Sequence, residues 1–283
     1  MENLIVVSAL TGNVPTRETS PNVPLTPREI AADVRRCANA GSSMFHVHAR
    51  DKEGKPTLDA DVYMEIVREI RKVAPDVIVM LSTGGRASKD PEARAAPVRL
   101  APEIASITTG SVNLPGIIYE NSPRLIEFLA GVFRENKVRP EIEVFEAGMV
   151  NNGLFLAKKG YFELPMHFNF VMGAPGAIPA TVKNLLFLSE SIPSNCTWSV
   201  AGLGAREVPM ATAAVVMGGH ARVGLEDNAR MPDGSFATNA GLVERIVNIA
   251  GAVGREIATP EDARQVLSLD PAVKDRILDL NAA

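Results

Sequence analysis

Residues 26–50, TPREIAADVRRCANAGSSMFHVHAR, contain one full unit of the pattern that runs through this chain. Thr26 offers an N-cap hydroxyl, Pro27 suits the first helical position, and Glu29 completes a capping box. A glycine then ends the helix, and the apolar run over 43–49 is typical of a buried strand. The stretch predicts a capped amphipathic helix followed by a strand.

The same alternation recurs along the chain. Strands are predicted at about 3–9, 43–49, 77–82, 104–108, 141–146, 166–172, 196–201 and 220–225. Helices are predicted at about 26–39, 60–73, 90–100, 122–136, 149–159, 180–191, 206–217 and 239–250. One such unit about every 35 residues predicts an α/β fold of the (β/α)8 TIM barrel type. A doubly wound sheet remains the alternative.

Size and composition set the domain organisation and the partner class. The 283 residues are 46% hydrophobic and 22% charged, which excludes a disordered chain and fits a single barrel domain over 1–283. We expect residues 259–281 to add C-terminal helices that cover the barrel base or a neighbouring subunit. A formal net charge of -4 gives no general attraction to nucleic acid or anionic lipid. Small-molecule partners are therefore expected.

The chain carries features of a cytoplasmic protein. Cys37 and Cys196 lie far apart and form no disulfide-like pattern, which suits a reducing compartment. Glu2 stands where a signal peptide needs positive charge, and the apolar run that follows is short enough to be a first strand. The sequence contains no run of about 18 apolar residues, so no membrane span is predicted.

The sharpest candidate site is FHVHAR, residues 45–50, at the end of the second strand. Strand side chains alternate between faces, so His46, His48 and Arg50 are expected to point the same way. Two imidazoles would then converge at the barrel mouth. The alternative is an ordinary pair of surface or core histidines.

A catalytic zinc site usually needs a third protein ligand. The candidate is Glu226, which with Asp227 follows the eighth strand. The ends of the eighth and second strands lie at the same face of a closed barrel, with only the first strand between them. Alternatively, both carboxylates are solvated turn residues. His167 and His220 are weaker candidates.

Hydroxyls and glycines after the third and fourth strands suggest a cradle for a carboxylate or phosphate. They lie in LSTGG, residues 81–85, and in TTG, residues 108–110, although a plain helix-entry turn explains either one equally well. Glu143, on the fifth strand, is expected to point inward because its neighbours are apolar. It is either a functional carboxylate or a structural partner of Arg50.

These blocks, taken in order, resemble the β-keto acid cleavage enzyme family. The resemblance rests on SALTG, LTPREIA, FHVHAR, LSTGGR, PEIEVFEAGMV, FVMGAPG, TWSVAGLG, GGHARVGLEDN and IATPEDAR. It implies a zinc-dependent (β/α)8 barrel that exchanges acyl groups between a β-keto acid and acetyl-CoA, yielding acetoacetate and a new acyl-CoA. It also implies a homo-oligomer, by family likeness a tetramer.

The resemblance further implies roles for individual residues. It assigns zinc to His46, His48 and Glu226, base catalysis to Arg222 and Asp227, and the substrate carboxylate to Ser82, Gly84, Gly85, Ser106 and Thr108. At the last two positions the aminohexanoate-cleaving members carry Thr and Asn, so hydrogen-bonding groups are kept. Because arginine is a poor base, Arg222 needs Asp227 as the proton acceptor or else only orients the substrate.

One departure concerns the substrate tail. Members that bind an amine-bearing tail use a Glu after the first strand together with one on the fifth. Here the first position is Val14, while the second remains as Glu143. We therefore expect a neutral or apolar tail, or a quaternary ammonium with Glu143 as counter-charge.

The sequence leaves open two alternative functions and the identity of the CoA-phosphate contacts. An amidohydrolase-like metal hydrolase also places a His-x-His pair in a barrel, but on the first strand and with further histidines on the fifth and sixth. A non-catalytic barrel that binds a keto acid or a CoA thioester is the other alternative. The phosphates of CoA require cations at the mouth, and Arg86 and Arg206 are both candidates.

Overall fold

The computed structural model describes residues 1–279 and contains a closed barrel of eight parallel strands. They are β1 (Val6–Ala9), β2 (Met44–Val47), β3 (Ile78–Leu81), β4 (Ile104–Thr108), β5 (Arg139–Val144), β6 (His167–Met172), β7 (Thr197–Gly202) and β8 (His220–Val223). Neighbours in the barrel follow chain order, and β8 pairs with β1 through Val6 and Ala221. This closure confirms the (β/α)8 prediction and excludes a doubly wound sheet.

A helix follows each strand on the outside of the barrel. The helices are α1 (Pro27–Asn39), α2 (Ala60–Val73), α3 (Pro91–Arg99), α4 (Pro123–Glu135), α5 (Gly148–Lys158), α6 (Val182–Glu190), α7 (Glu207–Met217) and α8 (Asn239–Ala252). The predicted capping box is present, since Thr26 Oγ1 accepts from Glu29 N–H and Glu29 Oε2 accepts from Thr26 N–H at 2.9 Å. Local capping thus sets where α1 begins.

An apolar cluster fills part of the barrel base, and the C-terminal segment closes it. Inward side chains of β1 to β4 pack there against the residues around α9 (Pro260–Val266), namely Val7, Met44, Ile78, Met80, Ile104, Ala258, Ala263 and Leu267. A short α10 (Arg276–Asp279) follows. The predicted extra helices therefore cover the base, and residues 280–281 of that prediction lie outside the described residues.

Two short hairpins stand above the opposite end. One pairs residues 49–50 with 56–57, and the other pairs 112–114 with 117–119. No helix among residues 1–279 is long and apolar enough to cross a membrane. The cytoplasmic location stays a prediction.

Candidate active site

Polar side chains fill much of the barrel interior. Inward side chains from β2, β4, β5, β6, β7 and β8 are buried there, namely His46, Ser106, Thr108, Glu141, Glu143, Asn169, Ser199 and Arg222. His46, Glu143 and Arg222 lie near the carboxyl ends of their strands, where barrel enzymes carry their active sites. Charged side chains are rarely buried without partners, so this concentration marks a functional site.

His46, His48 and Glu226 meet at this end. The Nε2 atoms of the two histidines lie 3.1 Å apart. Glu226 places Oε1 3.2 Å from His48 Nε2 and Oε2 3.7 Å from His46 Nε2. The predicted convergence of these three side chains is therefore present.

Backbone conformation brings Glu226 to the histidines. Gly224 has a φ of +153°, and a Cβ there would lie 2.1 Å from the carbonyl oxygen of Ala9. Only glycine allows β8 to turn so tightly across β1. Gly12 on the β1 side also has a positive φ, and a Cβ there would lie 2.6 Å from Glu226 Cγ. Gly12 thus makes room for the Glu226 side chain, and Gly224 allows the loop after β8 to approach the backbone of β1.

The three side chains fit a divalent ion. Ligand atoms around a tetrahedral zinc lie about 3.3 Å apart when metal–ligand bonds are about 2.0–2.1 Å, close to the separations found here. Burial lowers the pKa of His46 well below its usual value, so its imidazole is neutral, as a metal ligand must be. Glu226 Oε2 is buried and lacks a hydrogen-bond partner among residues 1–279. An ion would satisfy that oxygen.

Arg222 on β8 links the carboxylates of the site. Its guanidinium forms two hydrogen bonds to Asp227, at 2.8 and 3.1 Å, and lies 2.9 Å from Glu226 Oε1. Its Nη1 is 3.5 Å from Glu143 Oε1. Three carboxylates thus surround one guanidinium, and the excess negative charge favours a bound cation.

The charge states favour Asp227 over Arg222 as a proton acceptor. Burial lowers the pKa of Arg222, but Asp227 and Glu226 more than offset this and hold it well above its usual value. Burial raises the pKa of Asp227 to about 6, with a contribution from the charge of Glu226 and against the effect of Arg222. The guanidinium stays protonated and orients Asp227.

The cleft above these groups has a volume of about 140 Å³. Among the predicted residues, its lining includes Val14, His48, Ser82, Gly84, Glu143, Arg222, Glu226 and Asp227. Ser82 Oγ accepts a hydrogen bond from Gly84 N–H at 3.1 Å, which holds the turn after β3 beside the histidines. Most of the predicted site thus lies around one cavity.

Three predicted substrate contacts lie away from the open cleft. Gly85 packs against the side chain of Arg94, and a Cβ there would lie 2.9 Å from Arg94 Nη1. Ser106 is buried in the middle of β4. Thr108, higher on the same strand, donates to Glu143 Oε2 at 2.8 Å and so positions that carboxylate.

Arg50 departs from the strand alternation. Because β2 ends at Val47, the residues after it leave the barrel wall and enter the first hairpin. The Arg50 side chain donates instead to the carbonyls of Gly12, Gly54 and Pro15, at 2.9 to 3.1 Å. The alternative in which Glu143 pairs with Arg50 is therefore not found, and Glu143 lies beside Arg222 instead.

The two remaining histidines are bound within the barrel. His167 contacts Thr197 Oγ1 at 2.8 Å and Ser199 Oγ at 3.1 Å, and His220 Nδ1 accepts from Ile5 N–H at 3.1 Å. These contacts occupy both nitrogens of His167 and one of His220. They explain why neither side chain joins the other pair.

One wall of the cleft is apolar and was not predicted from the sequence. It consists of Leu114, Tyr119, Phe145, Val171 and Leu203. Two of these residues belong to the hairpin after β4, which is too short to produce a periodic pattern. A turn signal at Pro115–Gly116 was the one local feature that marked it.

Comparison with known proteins identifies the family. A family model described as beta-keto acid cleavage enzyme matches residues 3–269. The chain belongs to the β-keto acid cleavage enzyme family. This membership confirms the resemblance and argues against an amidohydrolase-like enzyme.

Relatives within and around this family cover nearly the whole chain. The chain is 43% identical over 271 residues to the 3-keto-5-aminohexanoate cleavage enzyme of Fusobacterium nucleatum, covering 95% of this chain and 99% of that protein. It is 34% identical over 269 residues to the 3-oxoadipate:acetyl-CoA acetyltransferase of Cupriavidus necator, covering 94% of each. A solved ternary complex of ObcA with C4-CoA adduct and oxalate has a TM-score of 0.78 at 22% identity, covering 88% of this chain and 68% of that one. The last likeness shows the fold.

Proposed function

We propose that this family member is a zinc-dependent acyltransferase that converts a β-keto acid and acetyl-CoA into acetoacetate and a new acyl-CoA. The observation that carries the proposal is the meeting of His46, His48 and Glu226 beside the Arg222–Asp227 pair. Two imidazoles and one carboxylate are a donor set of catalytic zinc sites, which keep a further position open. The relative named 3-oxoadipate:acetyl-CoA acetyltransferase supports acetyl-CoA as the second substrate.

In this proposal each side chain of the site has a separate role in the reaction. Ser82 and the Gly84 backbone orient the substrate carboxylate, while Arg222 holds Asp227 where it can accept a proton from C2. A bound zinc ion would supply Lewis-acid polarisation of the keto group. The resulting C2 carbanion attacks the thioester of acetyl-CoA and expels the CoA thiolate. The thiolate then attacks the original keto carbon, the old carbon–carbon bond breaks, and the acetoacetate carbanion takes the proton back.

The cleft wall supports a neutral, apolar substrate tail. Val14 is 62% exposed and lines the cleft together with apolar side chains such as Leu114 and Leu203. Glu143 already interacts with Thr108 and Arg222, which weakens it as a partner for an amine. A quaternary ammonium is the second option, because Tyr119 and Phe145 offer aromatic faces for cation–π contact.

The test is turnover of a β-keto acid panel with acetyl-CoA, with acetoacetate and acyl-CoA measured together. We expect activity with neutral tails and its loss after metal removal. Glu226→Gln should lower bound zinc and turnover together, since an amide is a weaker ligand than a carboxylate. Glu146→Gln, an exposed carboxylate at the same barrel end, is the matched control.

Three outcomes would contradict parts of the proposal. Full activity in metal-free protein would remove the metal from the mechanism, and unchanged zinc content and turnover in Glu226→Gln would remove Glu226 from the ligand set. Binding of a keto acid or of CoA with no product across the whole panel would instead favour the non-catalytic barrel.

A further inference from the structure

A second groove lies beside the active-site cleft. It runs between the loop after β3 and the hairpin of residues 112–119, with a volume of about 670 Å³. Arg86 lines both the groove and the cleft, and so marks the junction between them. A ligand with a long arm could therefore occupy both cavities at once.

The groove is basic although the chain as a whole is acidic. Arg86 and Lys89 are exposed on its wall, and neither side chain has a hydrogen-bond or ion-pair partner among residues 1–279. Arg94 adds a third cation, but it is bound to Thr83 O and to Asn121 Oδ1. Glu120 is the carboxylate in the groove lining. Excess positive charge thus faces the groove, against a formal net charge of -4 for the chain.

An apolar surface accompanies these cations. Ile117 and Ile118 lie on the second strand of the hairpin, just after its turn, and line the groove, and Ile118 is 63% exposed. The side chains of Arg86 and Lys89, next to the apolar surface of Ile117 and Ile118, suit a ligand that carries phosphates and a flat base. Arginine and lysine are the common side chains for binding phosphate.

We propose that this groove binds the phosphorylated nucleotide end of acyl-CoA, with Arg86 and Lys89 holding its phosphates and Ile117 and Ile118 supporting its adenine. The pantetheine arm would pass Arg86 into the cleft and bring the thioester to the Arg222–Asp227 pair. Only the acyl-exchange step in this inference rests on the proposed function. The binding of CoA itself can be tested without turnover.

The first experiment measures binding of CoA to the zinc-loaded protein by calorimetry. Arg86→Gln and Lys89→Gln are prepared singly and together, with Arg206→Gln as the control, an exposed arginine elsewhere at the mouth. We expect about a tenfold weaker Kd for each groove variant, the size of one charge-assisted hydrogen bond at an exposed site. The dependence of log Kd on log salt concentration should become shallower in the groove variants. The Kd of Arg206→Gln for CoA and the thermal unfolding midpoints of all variants should match wild type.

The second experiment separates phosphate contacts from other effects. Acetyl-pantetheine lacks the nucleotide, so its KM should be the same in wild type and in the double variant, as should the KM for the keto acid. Inorganic phosphate and ADP, titrated separately, show whether the groove prefers a free phosphate to the CoA nucleotide. Weak displacement of CoA by inorganic phosphate and stronger displacement by ADP are expected.

The outcomes distinguish the two proposals. Lower CoA affinity in the groove variants of a protein without acyl exchange would keep the groove assignment and reject the proposed function. Unchanged CoA affinity in the double variant, a loss confined to Arg206→Gln, or absence of CoA binding to wild type would overturn the groove assignment. An equal loss with acetyl-pantetheine would also overturn it.

Discussion

At the scale of single residues, Val14 sets the chemistry of one cleft wall. Its side chain follows β1, is 62% exposed and lines the cleft with Leu114 and Leu203. A carboxylate at this position would face the same space and supply a charge for an amine-bearing tail. The isopropyl group instead favours apolar tails through burial.

Val14→Glu should shift the substrate preference towards amine-bearing tails. We expect the ratio of kcat/KM for an amine-tailed β-keto acid to that for a neutral one to rise about tenfold or more, because one charge-assisted hydrogen bond is gained. Val14→Gln, similar in size but uncharged, is the control and should change the ratio less. An unchanged ratio in Val14→Glu would show that the tail does not contact this wall.

At the scale of elements, α7 supports the loop that carries Glu226 and Asp227. Glu207, the first residue of α7, is buried and accepts hydrogen bonds from Gly224 N–H at 2.7 Å and from Asn228 Nδ2 at 3.1 Å. Burial raises the pKa of Glu207 to about 8, Asp227 contributes to the rise, and Arg245 on α8 opposes it. The helix start and the loop after β8 are thus joined through one carboxyl group.

Glu207→Gln should flatten the pH dependence of stability between about pH 4.5 and pH 8. The raised pKa means that the folded protein keeps this proton while the unfolded chain releases it near pH 4.5. The wild-type free energy of unfolding therefore falls as pH rises through this window, by at most about 1.4 kcal/mol per pH unit from this group. The variant carries no such proton and loses that slope.

Urea denaturation at several pH values measures this difference, with the surface substitution Glu190→Gln on α6 as the control. A constant offset between wild type and Glu207→Gln across the window would contradict the prediction. It would show that Glu207 is ionised in the folded protein.

At the scale of the whole molecule, a buried ion pair joins the C-terminal segment to the barrel base. Arg264 on α9 binds both carboxylate oxygens of Glu103, at 2.6 and 3.0 Å, and Arg264 Nη1 donates to Asp76 O at 2.8 Å. Glu103 is 2% exposed. The pair holds the C-terminal segment against the barrel base, at the end opposite the cleft.

Arg264→Leu should lower the free energy of unfolding by about 3–5 kcal/mol, because it leaves the buried charge of Glu103 without its main partner. Arg99→Leu breaks the exposed pair between Arg99 and Glu92 and should cost less than about 1 kcal/mol. Denaturant titration compares the two variants. Turnover of Arg264→Leu at low temperature should match wild type, since the cleft lies at the other end. Equal stability losses would contradict the assignment.

Much of the architecture was determined by the sequence itself. Capping signals such as Thr26 with Glu29, and the apolar runs between them, predicted eight strands and eight helices because these signals act within a few residues. The ends of the strands then predicted His46, His48 and Glu226 at one mouth, because a barrel brings all of its strand ends to the same face.

Tertiary structure alone decided the orientation of several side chains. Arg50 turned away because β2 ends early and because carbonyls of distant loops, such as Gly12 O, satisfy its guanidinium. Glu143 took Arg222 as its partner, a residue 79 positions away in the chain. The hairpin that supplies Tyr119, and the groove beside Arg86, arise from loops whose positions depend on long-range packing. Local periodicity carries no information about such contacts, because their energy exists only once the barrel has closed.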